Sequence, residues 1–303
     1  MKFIGVGDVH FSEHFTHRID NVWTAFESKW LQVFEWAKFH EVTAILCTGD
    51  VFHFKSPIRT SHRLMQNIME LLSKSPVSIY SAVGNHDIHY NDYSTLSQQP
   101  LGVLALGGQV KVQKRAAFGN VEVWFVPYGK DLPSYELGKQ EFQVRIVVTH
   151  AFMDHSAGNY FGERVFSFSE LEHWNANFVI NGHDHQVYAP ERVGNMLVSR
   201  PGALIRYARN DVDLNRKIQI SLIDTDSQSI CYLPIEHKSA SEVFDITVKE
   251  IEAASKEEVQ NFVGSLTGFQ FVENKPLSQE IAELNIDSDV REELENYVAA
   301  AKE

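Results

Sequence analysis

The sequence predicts an α+β fold in which two packed mixed β-sheets are flanked by helices and the connecting loops converge at one end. Three observations carry that expectation. Apolar runs of strand length alternate with helical patterns early in the chain and follow one another directly later on. A Gly119-Asn120 turn signal joins two such runs into an antiparallel hairpin. Finally, five apolar runs stop at a side chain able to hold a metal or transfer a proton, the pattern of a site built on the carboxyl edge of a sheet.

In chain order, strands are expected near 2–7, 43–48, 77–83, 109–114, 121–127, 144–149, 177–181, 195–199, 217–224 and 228–235. Between the first two, Val22, Phe26, Trp30, Val33, Phe34 and Ala37 recur at helical spacing, so this aromatic stripe covers a sheet face. Met65, Ile68, Met69, Leu71 and Leu72 make a second such helix before Ser75-Pro76. The runs at 109–114 and 121–127 are the two arms of the hairpin. Ser169 followed by Glu172 has the form of a capping box for a short helix leading into the Phe178 strand. After Pro234 the composition shifts. This places a domain boundary at 236, with a small C-terminal α/β appendage over 237–303: one strand-like run from Val243 to Val248, then helical patterns near 255–266, 278–284 and 288–301.

With 303 residues, 44% of them hydrophobic, the chain can bury a sizeable core. Its two cysteines, Cys47 and Cys231, form no zinc-like pair and are expected as small hydrophobes. No basic flank and apolar segment precede the first strand, and no apolar run approaches the roughly 18 residues of a membrane span. A cytoplasmic, intracellular protein without a membrane partner is expected. The formal charge of −13 argues against a diffuse basic surface for nucleic acid. It does not exclude a phosphodiester substrate, because bound divalent cations reverse the field locally.

The five strand-end signals are Asp8-Val9-His10, Gly49-Asp50, Gly84-Asn85-His86-Asp87, His150 and Gly182-His183-Asp184-His185. Alternation along an extended strand places residues i and i+2 on one face, so Asp8 with His10, and His183 with His185, converge while Val9 and Asp184 point elsewhere. Mixed nitrogen and oxygen ligands suit borderline metals such as manganese, iron, cobalt or zinc, with magnesium a further alternative; calcium fits poorly.

The order DxH, GD, GNHD, H and GHxH resembles the calcineurin-like metallophosphoesterase superfamily over residues 8 to 185. The resemblance implies a four-layer α/β/β/α sandwich over residues 1–236 and a two-metal site. Asp8, His10, Asp50 and His185 would hold one ion, Asp50, Asn85, His150 and His183 the other, with Asp50 bridging. A pair of cations about 3.5–4 Å apart lowers the pKa of a water to about neutrality and clamps phosphoryl oxygens. Asn85 is then a ligand, His86 is left to protonate the departing oxygen or to stabilise the transition state, and Asp87 is expected to orient the His86 imidazole.

The superfamily includes phosphatases, cyclic-nucleotide phosphodiesterases and nucleases. The segment from Thr48 to Arg59, with His53 three residues after Asp50 and Pro57 in the following loop, resembles the SbcD and Mre-eleven nuclease branch. Arg200-Pro201-Gly202-Ala203 is similar to a proline-glycine element of that branch. These resemblances imply a second catalytic histidine, His53. The implied activity is manganese-dependent DNA hydrolysis, as a single-strand endonuclease and a 3′–5′ exonuclease on duplex ends, in repair, recombination or replication. They also imply an SMC-like ATPase partner of the SbcC or Rad-fifty type, and they leave open a homodimer through the helix at 22–39 or the short helix after Pro57, which burial within the domain explains equally well. About 67 residues follow position 236, which leaves room for a minimal cap with docking helices near 278–301, or for a chain without that partner. Two other readings stand beside this one: a small-molecule phosphodiesterase or phosphatase of the same fold, and a binding module that has lost its chemistry. The second would show a missing ligand, and none is missing.

Overall fold

A computed structural model of the chain describes residues 1–160 and 162–245. Its first half runs β1 (Lys2–Val6), α1 (Val22–Phe39), β2 (Ala44–Cys47), α2 (His62–Leu72), β3 (Ile79–Ser81), α3 (Pro100–Leu106), β4 (Arg115–Phe118), β5 (Val121–Val126) and β6 (Val144–His150). Then come β7 (Met153–Asp154), β8 (Gly158–Tyr160), β9 (Glu163–Ser167), β10 (Phe178–Gly182), β11 (Tyr188–Val193) and β12 (Met196–Arg200). α4 (Asp211–Asn215), β13 (Gln219–Asp224), β14 (Ser229–Pro234) and α5 (Ala240–Val243) complete it.

One sheet has the order β14-β13-β1-β2-β3 and the other β11-β12-β10-β6-β5-β4; β7, β9 and β8 form a small third sheet. Both main sheets are mixed. β1, β2 and β3 are parallel with β13 antiparallel to β1, and β5, β6, β10 and β12 are parallel with β4 and β11 antiparallel at the edges.

Side-chain alternation builds the layers. On β1, Phe3 faces the second sheet while Ile4 and Val6 face the helices. On β6 and β10, Ile146, Val148, Phe178 and Ile180 fill the space between the sheets, and Val147 and Val179 point to the outer side. Phe26, Trp30, Val33 and Phe34 of α1 cover the first sheet together with Leu64, Ile68 and Leu71 of α2, as the sequence stripes predict. The outer face of the second sheet is closed by Phe168, Leu171 and Trp174 of a 3-10 helix. The order is therefore helix, sheet, sheet, helix. Each main helix starts at a side-chain cap: Asn21 accepts the Thr24 N–H at 3.0 Å and Ser61 the Leu64 N–H at 3.0 Å.

Three local expectations change. The hairpin partner of β5 is Arg115–Phe118 rather than 109–114, because the two-residue turn at Gly119-Asn120 pairs Phe118 with Val121 and fixes the register from there. Lys111 instead meets the edge of the first sheet, donating its N–H to the Ile79 carbonyl. The capping box is Ser167 with Glu170, not Ser169 with Glu172: Ser167 is still extended, and Glu170 accepts its N–H at 2.7 Å. Val243 closes the short helix α5 instead of opening a strand, and Phe244 bridges to Arg18. The short strands β7, β8, β9 and β11 have no sequence signal because they lack an apolar run; β8 is exposed throughout. The helical patterns beyond position 245, and with them the docking element, lie outside the described residues. No described helix is long and apolar enough to cross a membrane.

Candidate metal centre

The loops leaving β1, β2 and β3 meet those leaving β6 and β10. Alternation predicts convergence of Asp8 with His10, yet β1 ends at Val6 and the chain turns instead. The N–H groups of Val9 and His10 both donate to the Asp50 carbonyl, at 3.1 and 2.9 Å, and His10 adopts φ 55°. Asp50 (φ 48°) and His183 (φ 83°) are also left-handed. Such residues cost on the order of 1–3 kcal/mol each and persist where the surroundings over-determine them, as at a ligand cluster. Tight left-handed turns, rather than strand alternation, aim these side chains. Val9 packs into the core and Asp184 pairs with Arg200, so both do point elsewhere.

Two clusters result. Ligand atoms of Asp8, His10 and His185 lie within 4.8 Å of one another, as do those of Asp50, His150 and His183. Asn85 joins the second, its Oδ1 lying 3.1 Å from both His150 Nε2 and His183 Nδ1. Asp50 stands between them, with Oδ1 3.4 Å from His150 and Oδ2 3.7 Å from His10. Two glycines admit the carboxylates: a Cβ on Gly84 would lie 2.0 Å from Asp50 Oδ1, and one on Gly182 2.5 Å from Asp8 Oδ1.

The donor set fits a pair of divalent cations. His10 Nε2 and His185 Nε2 face each other at 3.0 Å beside two buried carboxylates, an arrangement of lone pairs that a cation satisfies better than one shared proton. His150 is already in the orientation a ligand needs. Its Nδ1–H donates to the Thr48 carbonyl at 3.0 Å, leaving Nε2 toward the centre. Without metal, burial depresses its basicity, but the charges of Asp50 and Asp8 prevail and push it up to about 9. Burial likewise opposes ionisation of Asp8 and Asp50, and the charge of His150 holds both below the usual carboxylate range. His10 moves the other way, lowered by burial against the pull of Asp50.

His53 and His86 lie over the same centre, with ligand atoms within 4.8 Å of His10. Their rings stack at 5.7 Å, and burial and the charge of His86 bring His53 down to about 4, so it is neutral near pH 7. The expected support of His86 by Asp87 is corrected. The His86 ring meets the His53 main-chain carbonyl through Nδ1, while the Asp87 carboxylate accepts the N–H groups of Gly84 (2.9 Å), Val51 (3.0 Å) and Phe52 (3.3 Å). Asp87 thus ties the GNHD turn to the loop after Asp50. Burial, and then the charge of Asp50, push it up to about 7 despite those hydrogen bonds.

Three residues absent from the motifs, and Thr48 at the start of one, join the site. Glu163 receives His183 Nε2 at 2.9 Å and the Tyr128 hydroxyl at 3.0 Å, which turns His183 Nδ1 inward. Tyr207 packs its ring 4.9 Å from His185 and 5.2 Å from both His10 and His53. The Thr48 hydroxyl donates to Asp8 at 3.0 Å. Only Thr48, two residues before Asp50, had a neighbouring signal. The Arg200-Pro201-Gly202-Ala203 stretch lies behind the site. Arg200 holds the loop after His183 through Asp184 and the Gln186 carbonyl, and the Leu204 N–H donates to the Asp8 carbonyl.

Residues 1–187 match the sequence profile of the family described as Calcineurin-like phosphoesterase. The chain belongs to that family. As a calcineurin-like phosphoesterase it has the fold and the paired His/Asp clusters of a metal-dependent hydrolase. Solved structures similar to it include an archaeal phosphodiesterase (14% identity over 77% of this chain and 99% of that one, TM-score 0.41). A Thermus thermophilus protein is 12% identical over 78% and 99% of the two chains, TM-score 0.48. A dimetal phosphatase from Danio rerio is 11% identical over 73% and 91%, TM-score 0.47. Comparison with curated proteins finds no match.

Proposed function

We propose that this phosphoesterase is a manganese-dependent DNA nuclease of the SbcD type, cutting single strands internally and digesting duplex ends from the 3′ side. The observation that carries the proposal is the position of His53. Its ring stacks on His86 and lies 5.4 Å from His10, so two histidines outside the proposed ligand set flank the place where a phosphate would meet the ligand clusters. The loop that begins at His53 continues into Phe54 and Arg59, whose guanidinium lies 4.9 Å over the Phe54 ring. The Phe54 ring lies 4.7 Å from His53, and a ring with a cation on it next to that histidine suits a strand of stacked bases and phosphates.

Two divalent cations held by Asp8, His10, Asp50, Asn85, His150, His183 and His185 would activate water and neutralise the phosphoryl oxygens. His86, half-buried at the mouth, gives a proton to the departing oxygen, and His53, neutral and beside it, orients the phosphate. Asp87 and Glu163 act through others, the first fixing the GNHD turn and the second fixing His183.

The proposal includes a cytoplasmic location, an SMC-like ATPase partner and a homodimer, tested by co-purification and by solution mass. The chemistry is tested by assaying manganese-loaded protein on single-stranded DNA, duplex DNA with defined ends, nucleotides and bis-phenyl phosphate. DNA cleavage that His53→Ala reduces supports it. Hydrolysis of the small esters with intact DNA would instead favour a small-molecule phosphodiesterase, the reading to which the charge of −13 lends weight.

A further inference from the structure

Lys29 lies on the apolar side of α1, one turn after Phe26, and is 5% exposed. Among the described residues no carboxylate or carbonyl meets its ammonium, although a buried cation normally requires such a partner. It lines a cavity of about 140 Å³ at the start of α1, together with Asn21, Thr24 and Ala25 of the first turns. Arg18, Arg206, His237 and Lys238 line the same space, as do the acids Asp20 and Glu236.

The acids leave a positive excess. Asp20 is taken by Arg18, which binds it through both Nε and Nη2 at 2.8 Å. Asp213 is likewise taken by Arg216. Among the described residues Arg206 donates only to main-chain carbonyls, those of Asp213, Arg216 and Lys238. Lys29 thus has no direct ion-pair partner among the described residues, and burial followed by the charges of Arg18, Arg216 and Arg206, against the pull of Asp20, lowers its amine well below the usual range, so that it takes up a proton where an anion enters beside it. The amino end of an 18-residue helix adds its partial positive charge to the same space.

We propose that this cavity is a binding site for a tetrahedral oxyanion of the phosphate class, held by Lys29 against the amino end of α1. The site is distinct from the metal centre but joined to it. Arg206 precedes Tyr207, whose ring rests on His10, His53 and His185.

The test is a calorimetric titration of the full chain with inorganic phosphate and, separately, with a 5′-nucleoside monophosphate. Each is done in chelator, where the metal centre is silent, and again with manganese. One phosphate per chain is expected in chelator. Lys29→Met should weaken it by about tenfold or more, the scale of losing a buried charge partner. Without ligand, that variant should melt at or above the wild-type temperature, since a buried amine without a hydrogen-bond partner has gone. Ala25→Leu, which fills the cavity without changing its charge, should also abolish binding. Tighter binding of the nucleotide identifies a phosphomonoester as the ligand, and binding of inorganic phosphate alone identifies the free ion. The proposal is overturned if neither ligand binds in chelator, or if both bind Lys29→Met and Ala25→Leu as they bind the wild type.

Discussion

In the proposed chemistry His86 transfers a proton and His150 holds an ion, and substitution separates the two roles. His86→Ala should leave metal uptake intact while turnover falls about 10²–10⁴-fold, the scale of general-acid assistance; loss of bound metal in that variant would make His86 a ligand. Glu163→Gln should weaken the ion at His183 about 10–100-fold, as loss of a carboxylate behind a ligating imidazole does. Metal titration followed by calorimetry measures it. His150 supplies a pH dependence. Its metal-free pKa is raised from 6.5 to about 9, so its protonated form stabilises the metal-free fold below pH 6.5, and that contribution is lost as pH rises through 9. The ion needs the same nitrogen unprotonated, so affinity should climb by about tenfold per pH unit below 9, with proton release visible as buffer-dependent heat. The proposed ligands were legible because each stands where an apolar run breaks. Glu163, Tyr128 and Tyr207 were not, because each is a solitary residue without a motif around it.

At the scale of elements, the turns after β2 and β3 are locked together. Asp87 accepts three N–H groups from the two turns, and Gly84 leaves the space that Asp50 Oδ1 occupies. Gly84→Ala should therefore displace Asp50 and abolish metal binding, read by metal content per chain, while α1 and α2, packed elsewhere, keep the helical circular dichroism. Long elements were the most legible: α1 spans the same residues the aromatic stripe marks, because eighteen residues carry several periods of the pattern. The hairpin arm at 109–114 failed because its apolar content serves the first sheet through Lys111, while the turn dictates pairing from Phe118. The capping box moved by two residues because extended backbone at Ser167, rather than residue type alone, decides where a helix begins.

In the whole molecule the centre is a seam between the two sheets. Asp8, His10, Asp50 and Asn85 come from the first sheet, and His150, His183 and His185 from the second. Cations held there would tie the sheets together, so manganese at about 100 times its dissociation constant should stabilise the fold by about 2.7 kcal/mol. Thermal melts with manganese and with chelator should show that shift in the wild type and not in Asp50→Ala. The sequence by itself determined the two-sheet class, the faces of the long helices and the types of residue gathered at the strand ends. Those follow from periodicity and from local breaks in it, which are written along the chain. Only the tertiary structure decided that left-handed turns aim His10 and His183, that Asp87 braces a loop instead of an imidazole, and that Lys29 is buried with no direct ion-pair partner among the described residues. Each of these depends on partners brought together by packing from distant positions, which no local pattern records.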